Sequence, residues 1–171
     1  MGLAALPWTE GAEEFRARII FLRRAMPDLG WPDFSDSTLT ATLAEWLSPY
    51  LSGMSKRADL QRLDLTQILR SMVAHPLLAR LDKLAPVRME VPSGGHYRID
   101  YAGEGDPVLR VRLQELFGMK TAPQVADGRV LLKIELLSPA GRPLAVTQSL
   151  ETFWVNAYAD VRKDMRGRYP K

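Results

Sequence analysis

The groups with the widest chemical reach in this chain are cations at alternate positions. Arg88, Arg98, Arg110, Arg112 and Lys133 fall in segments that alternate charged with apolar residues, so one sheet face can carry all five. Guanidinium and ammonium groups there would bind phosphate or carboxylate by charge-assisted hydrogen bonds. Glu90, Asp100 and Glu135 lie among them, so cross-strand ion pairing is the competing use. Tyr97, Ile99 and Tyr101 alternate with His96, Arg98 and Asp100. Tyrosines beside arginines on a sheet can stack bases, but this alternation favours the core for them. A second cluster, Arg162, Lys163, Arg166, Arg168 and Lys171, contains one acid, Asp164. It follows a helical apolar stripe and has three possible uses: complementing the helix dipole, contacting phosphate, or forming a salt-bridged interface.

Other chemistries are poorly provided for. With no cysteine there is no thiol nucleophile, disulfide or Cys-ligated metal. The two histidines, His75 and His96, sit at a helix junction and a strand start with no second His nearby, so no metal site is expected. There is no Gly-x-x-x-x-Gly-Lys-Ser/Thr loop and no Gly-x-Ser-x-Gly elbow. Ser93-Gly94-Gly95 and Gly103-Glu104-Gly105 lie between strands, whereas a nucleotide loop leads from strand to helix. Asp36, Asp59, Asp64 and Asp82 fall at helix starts or on solvated faces, so no catalytic residue is assigned. A net charge of +3 permits a nucleic-acid or acidic partner without requiring one. No apolar run is long enough to span a membrane.

The elements that would position these groups can be read from caps and periodicity. Thr9 caps a helix over 9–26 with the stripe Ala12, Phe15, Ile19, Leu22 and Met26, closed by Pro27. The Gly30 to Phe34 turn carries two aromatics to bury. Ser35 or Ser37 starts a second helix to about Leu51, with Leu39, Leu43, Trp46, Leu47 and Tyr50 on its apolar face and an irregular last turn at Pro49. Asp64 caps a third helix, and Pro76 opens a fourth. Period two begins after Pro86: a strand through Val87, Met89 and Val91, a turn at Ser93-Gly94-Gly95, and a return strand. Val108 to Leu113 is a third strand, leading into a short helix closed by Gly118. Val130 to Leu137 reads as one long central strand. A tight turn at Pro139 to Pro143 leads to a strand over Leu144 to Thr147. The closing helix, from Ser149 to Met165, carries Leu150, Phe153, Trp154, Ala157, Tyr158, Val161 and Met165 on one face.

Helices first and strands second predict an α+β fold. A helical segment over 1–85 precedes a mostly antiparallel sheet of four or five strands over 86–171, covered by the C-terminal helix. The helical segment is expected as an adjoining layer.

Several ordered runs then carry a resemblance. They are Leu84-Ala85-Pro86, Val91-Pro92-Ser93-Gly94 and Ile99-Asp100-Tyr101; Val111 through Gly118; Leu136 through Pro143 with Thr147; and Phe153-Trp154, Tyr158, Val161-Arg162-Lys163 and Arg166 through Lys171. Leu6-Pro7-Trp8, Arg16-Ala17-Arg18 and Trp31-Pro32-Asp33 extend the likeness over nearly the whole chain. Together they resemble the C-terminal domain of HrpB-type ATP-dependent helicases, a bacterial DEAH-box/RHA group. The resemblance implies a cytoplasmic parent enzyme that hydrolyses ATP with Mg and remodels RNA. Two departures matter: the P-loop, Asp-Glu-x-His motif and arginine-finger region are missing, and so is the family's His/Pro/Trp-rich tail. The chain is therefore expected to be an excised, non-catalytic accessory domain with no cofactor of its own. Its expected partners are the helicase core of the same polypeptide, single-stranded RNA, or another protein docked on it.

Overall fold

The structure, a computed structural model, describes residues 2–157. The chain divides into two compact units, Met1–Ala85 and Pro86–Lys171.

The first unit is helical. Helix α1 spans Glu10–Ala25, and the Thr9 hydroxyl accepts from the Ala12 N–H at 3.1 Å. The α1 stripe is buried, as are Trp31 and Phe34 of the following turn. Helix α2, Asp36–Ala41, is capped by Ser35. The single helix expected down to Leu51 is broken at Thr42. There the backbone leaves helical geometry (φ −103°, ψ 11°), and the Thr42 hydroxyl donates to the Thr38 carbonyl at 2.7 Å. Such back-bonding from a β-branched residue competes with the helical ladder. The chain resumes as α3, Leu43–Leu47, and a 3-10 turn over Ser48–Tyr50. Tyr50, expected on the apolar face, is 40% exposed. A further 3-10 turn over Arg57–Arg62 had no periodic signal in the sequence. Asp64 caps α4, Leu65–Ser71, and α5, His75–Leu84, has Pro76 in its first turn.

Three arginines of α1 fasten this unit. Arg16 Nε donates to the Phe34 carbonyl at 2.8 Å, Arg18 Nε to the Ala85 carbonyl at 2.8 Å, and Arg23 Nη1 to the Trp31 carbonyl at 2.9 Å. Those carbonyls lie outside regular helix, where a buried main-chain oxygen must find a donor. Arg18 is itself only 5% exposed.

The second unit is built on a five-stranded sheet in the order β1-β2-β3-β6-β7. Its strands are β1 Arg88–Glu90, β2 His96–Asp100, β3 Val108–Arg112, β6 Lys133–Leu137 and β7 Pro143–Thr147. All neighbours are antiparallel except β3 and β6, which are parallel. The long strand expected over 130–137 is interrupted at Leu132. Residues Val130–Leu131 form β5, which pairs with β4, Gln124–Val125, in a separate two-stranded ribbon. The Leu132 N–H donates to Pro123 and the Lys133 N–H to Pro107, so the chain changes partners at this point. Beyond it, β6 is an interior strand between β3 and the edge strand β7, and the centre of the sheet is β3 rather than β6. A 3-10 turn, Leu113–Leu116, follows β3. Of the closing helix, the described part is α6, Leu150–Thr152, and a wider π-type turn over Phe153–Ala157. Leu150 and Phe153 are buried, and Trp154 Nε1 donates to the Met119 carbonyl at 2.7 Å. Tyr158, Val161 and Met165 lie outside the described residues.

The two bonds of Arg18 make unequal contributions. Its second partner, Asp82, has a side chain 90% exposed, so that ion pair contributes little. Arg18→Ala should lower unfolding free energy by about 2 kcal/mol, because it strands the buried Ala85 carbonyl. Asp82→Ala should cost less than about 0.5 kcal/mol. Urea denaturation of both variants checks the ranking; equal losses would contradict it.

Candidate functional site

Strand pairing determines where the sheet cations sit. Arg88 faces Arg98, Asp100 faces Val108, Arg110 faces Glu135, and Val108 faces Lys133. Directly paired residues share a face, and so do residues two apart on one strand. Arg88, Arg98, Arg110, Arg112 and Lys133 therefore lie on one side of the sheet, together with Glu90, Asp100 and Glu135. The opposite side holds Ile99, Tyr101, Leu109, Val111, Ile134 and Leu136, all buried. Tyr101 donates its hydroxyl to the Pro86 carbonyl at 2.6 Å. Tyr97 also belongs to the apolar side but is only half-buried.

The five cations are not equivalent. Arg110 is clamped: Nη1 donates to Asp100 and Nε to Glu135, both at 2.8 Å. Burial pushes the Asp100 carboxyl up, but the Arg110 hydrogen bond, the Ala102 N–H and the charges of Arg110 and Arg98 outweigh it. The group titrates below its ordinary range. Arg112 stands beside Glu115, which accepts from the hydroxyls of Ser93 and Tyr97; these bonds and the Arg112 charge hold that carboxyl below its usual range. Lys133 is half-buried, near the Gly105 loop.

Arg88 and Arg98 are placed differently. The ladder bonds from Val91 to Gly95 and from Ile99 to Val87 mark the hydrogen-bonded rungs. The Arg88–Arg98 rung lies between them and is a non-hydrogen-bonded one, where opposing Cα atoms approach to about 4.5 Å. Like charges opposed there repel. The neighbouring rung on the same face, Glu90 opposite His96, holds no such pair.

The Ser93–Glu115–Tyr97 link has no counterpart in the sequence pattern. It pins the β1–β2 turn to the 3-10 turn after β3. The space is tight: a Cβ on Gly95 would lie 2.9 Å from the Tyr97 ring and 3.0 Å from a Glu115 oxygen. Only the fixed spacing of three separate segments creates this link, so no local pattern signals it. Arg162, Lys163, Arg166, Arg168 and Lys171 lie outside the described residues. Among the described residues no group of three or more His, Asp or Glu could hold a metal ion, and no helix is long and apolar enough to cross a membrane.

Residues 46–171 match the family model described as ATP-dependent helicase C-terminal. The chain belongs to the HrpB C-terminal family. Among its relatives is the ATP-dependent RNA helicase HrpB of Escherichia coli strain K12, 43% identical over 99% of this chain and 21% of that protein. Two solved structures share the fold over 99% of the chain. One is the E. coli DExH-box NTPase HrpB, with TM-score 0.90 and 43% identity; the other is the E. coli DEAH/RHA helicase HrpB, with TM-score 0.81 and 41% identity. They are covered to 21% and 22% of their length, so the chain spans about a fifth of the HrpB proteins it matches. The mixed helix-and-sheet architecture expected from the sequence is that of the HrpB C-terminal region.

The Arg110 clamp predicts how this HrpB-type sheet responds to pH. Asp100 titrates below its unfolded value, so its ionised form stabilises the fold above about pH 4, and this contribution fades as pH falls through the folded value. Arg110→Ala removes a hydrogen bond and a charge that hold the Asp100 carboxyl down, while the Ala102 N–H and Arg98 remain. The carboxyl should then titrate higher than in the parent chain, and its contribution to stability should shrink. A carbon-13 carboxyl titration by NMR reads this directly; an unmoved Asp100 would show that Arg110 is not its controlling partner.

Proposed function

We propose that this chain is the non-catalytic accessory domain at the C-terminal end of an ATP-dependent RNA helicase, and that its cationic sheet face holds RNA backbone. Segments 1–85 and 86–171 act together as that domain. ATP and Mg belong to the helicase core of the parent polypeptide, which is this domain's constant partner. The observation that carries the reading is the Arg88–Arg98 rung. Two cations opposed on one rung concentrate positive charge there, and a phosphate accepts from guanidinium groups bidentately. Tyr97 and Tyr101 lie on the apolar side of the sheet, so this face offers charge rather than stacking. Contacts of this kind position a nucleic acid without reading its sequence. Arg110 contributes little, because Asp100 and Glu135 already neutralise it. Arg112 and Lys133 extend the cationic track, and Arg162, Lys163, Arg166, Arg168 and Lys171 are proposed as a second contact.

The test is fluorescence anisotropy of the chain with single-stranded RNA across a salt series. Log affinity should fall linearly with log salt. The double variant R88Q/R98Q should reduce the slope by about 0.7, for the one phosphate that the two arginines share. The loss should be equal for RNAs of different sequence. R110Q should change affinity less than about twofold. Absence of binding at low salt, or equal losses in the two variants, would rule out this face. Retained RNA binding with loss of a co-purifying protein in R88Q/R98Q would favour protein docking instead.

A further inference from the structure

The helical unit carries a second cationic surface of different chemistry. An open groove of about 450 Å3 lies along residues 51–60, lined by Leu51, Met54, Ser55, Lys56, Arg57 and Leu60. Its floor is apolar: Leu60 is buried, and Leu51 and Met54 are half-buried. Lys56 and Arg57, both exposed, form its rim. The acid of this segment, Asp59, is turned to the main chain and accepts from the N–H groups of Ser55 at 3.1 Å and Lys56 at 3.0 Å. Those N–H groups are therefore occupied, and any anion must be met by the two cationic side chains. Neither Lys56 nor Arg57 makes an ion pair with a described residue. In this they differ from Arg16, Arg18 and Arg23, whose guanidinium groups serve main-chain carbonyls.

We propose that this groove docks an acidic peptide segment of a partner protein, in which an aliphatic or aromatic side chain is flanked by Asp or Glu. The charge of the rim selects the acids, and like charges are rejected. The floor selects the apolar residue, whose burial against Leu51, Met54 and Leu60 supplies affinity that a phosphate chain cannot exploit. The Met54 thioether adapts to side chains of different shape.

Titration of the nitrogen-15-labelled chain tests this with three probes: a short synthetic peptide alternating Asp or Glu with Leu and Phe, its Lys-substituted counterpart, and single-stranded RNA of mixed sequence. The acidic peptide should move the amide signals of Leu51, Met54 and Leu60, and the Lys peptide should not. The double variant K56E/R57E should weaken the acidic peptide at least about tenfold. Met54→Ser should weaken it roughly fivefold through lost apolar contact. Unchanged signals elsewhere in each variant's spectrum establish that it is folded. An acidic peptide that leaves those signals unmoved overturns the proposal, as does undiminished binding by K56E/R57E. RNA moving the same signals, with Met54→Ser leaving peptide affinity unchanged, would make the groove a phosphate contact and also overturn it.

Discussion

The guanidinium of Arg110 sits where the sheet changes direction. Strand β3 is antiparallel to β2 on one side and parallel to β6 on the other, and Arg110 reaches a carboxylate on each. Parallel pairing is the weaker kind, and strands so joined require a long connection rather than a tight turn. One planar, five-donor group can bridge both neighbours at once, and a lysine could not do so with the same geometry. The clamp also decides what the surface can do. It removes the central cation and two acids from the available charge and leaves Arg88, Arg98, Arg112 and Lys133 with Glu90 on that face.

A comparable division of labour holds in the helical unit. Counting basic residues overstates the charge offered to a partner, because Arg16, Arg18 and Arg23 are occupied with the carbonyls of Phe34, Ala85 and Trp31. Arg16 also lies 5.2 Å from the centre of the Trp8 ring, and Arg70 lies 5.4 Å from that of Phe15. In both cases the guanidinium itself lies over the ring, a cation–π contact. What remains for recognition is set by subtraction, and in this unit the remainder includes Lys56 and Arg57.

That subtraction is what the sequence cannot perform. Local features were legible because their causes are local: the Thr9, Ser35 and Asp64 caps, the Pro76 start, the Ser93-Gly94-Gly95 turn and the alternation of β2 and β3. The failures occurred where a distant partner decides. The apolar run 130–137 has no internal reason to break; it breaks because Leu132 bonds to Pro123 and Lys133 to Pro107. The parallel β3–β6 pairing is likewise invisible in either strand alone. Near Thr42 a local signal does exist, since Thr38, Thr40 and Thr42 place three β-branched hydroxyl residues in one short helix, but the apolar spacing runs through it unbroken. For the site, alternation identified the cations sharing a face, but their neutralisation depends on register across three strands.

Its place on an edge strand offers a simpler account of Arg88. Strand β1 is short and at the sheet margin, and a charged residue there discourages pairing with another chain. One cation suffices for that protection, and a neutral partner opposite would serve it better, because two arginines on a non-hydrogen-bonded rung repel each other. Arg98 lies inside the edge on β2, where it protects nothing. Its charge helps hold the Asp100 carboxyl ionised beside Arg110. Edge protection thus accounts for Arg88 and does not extend to Arg98. A phosphate on the rung would engage both cations and ease the repulsion between them.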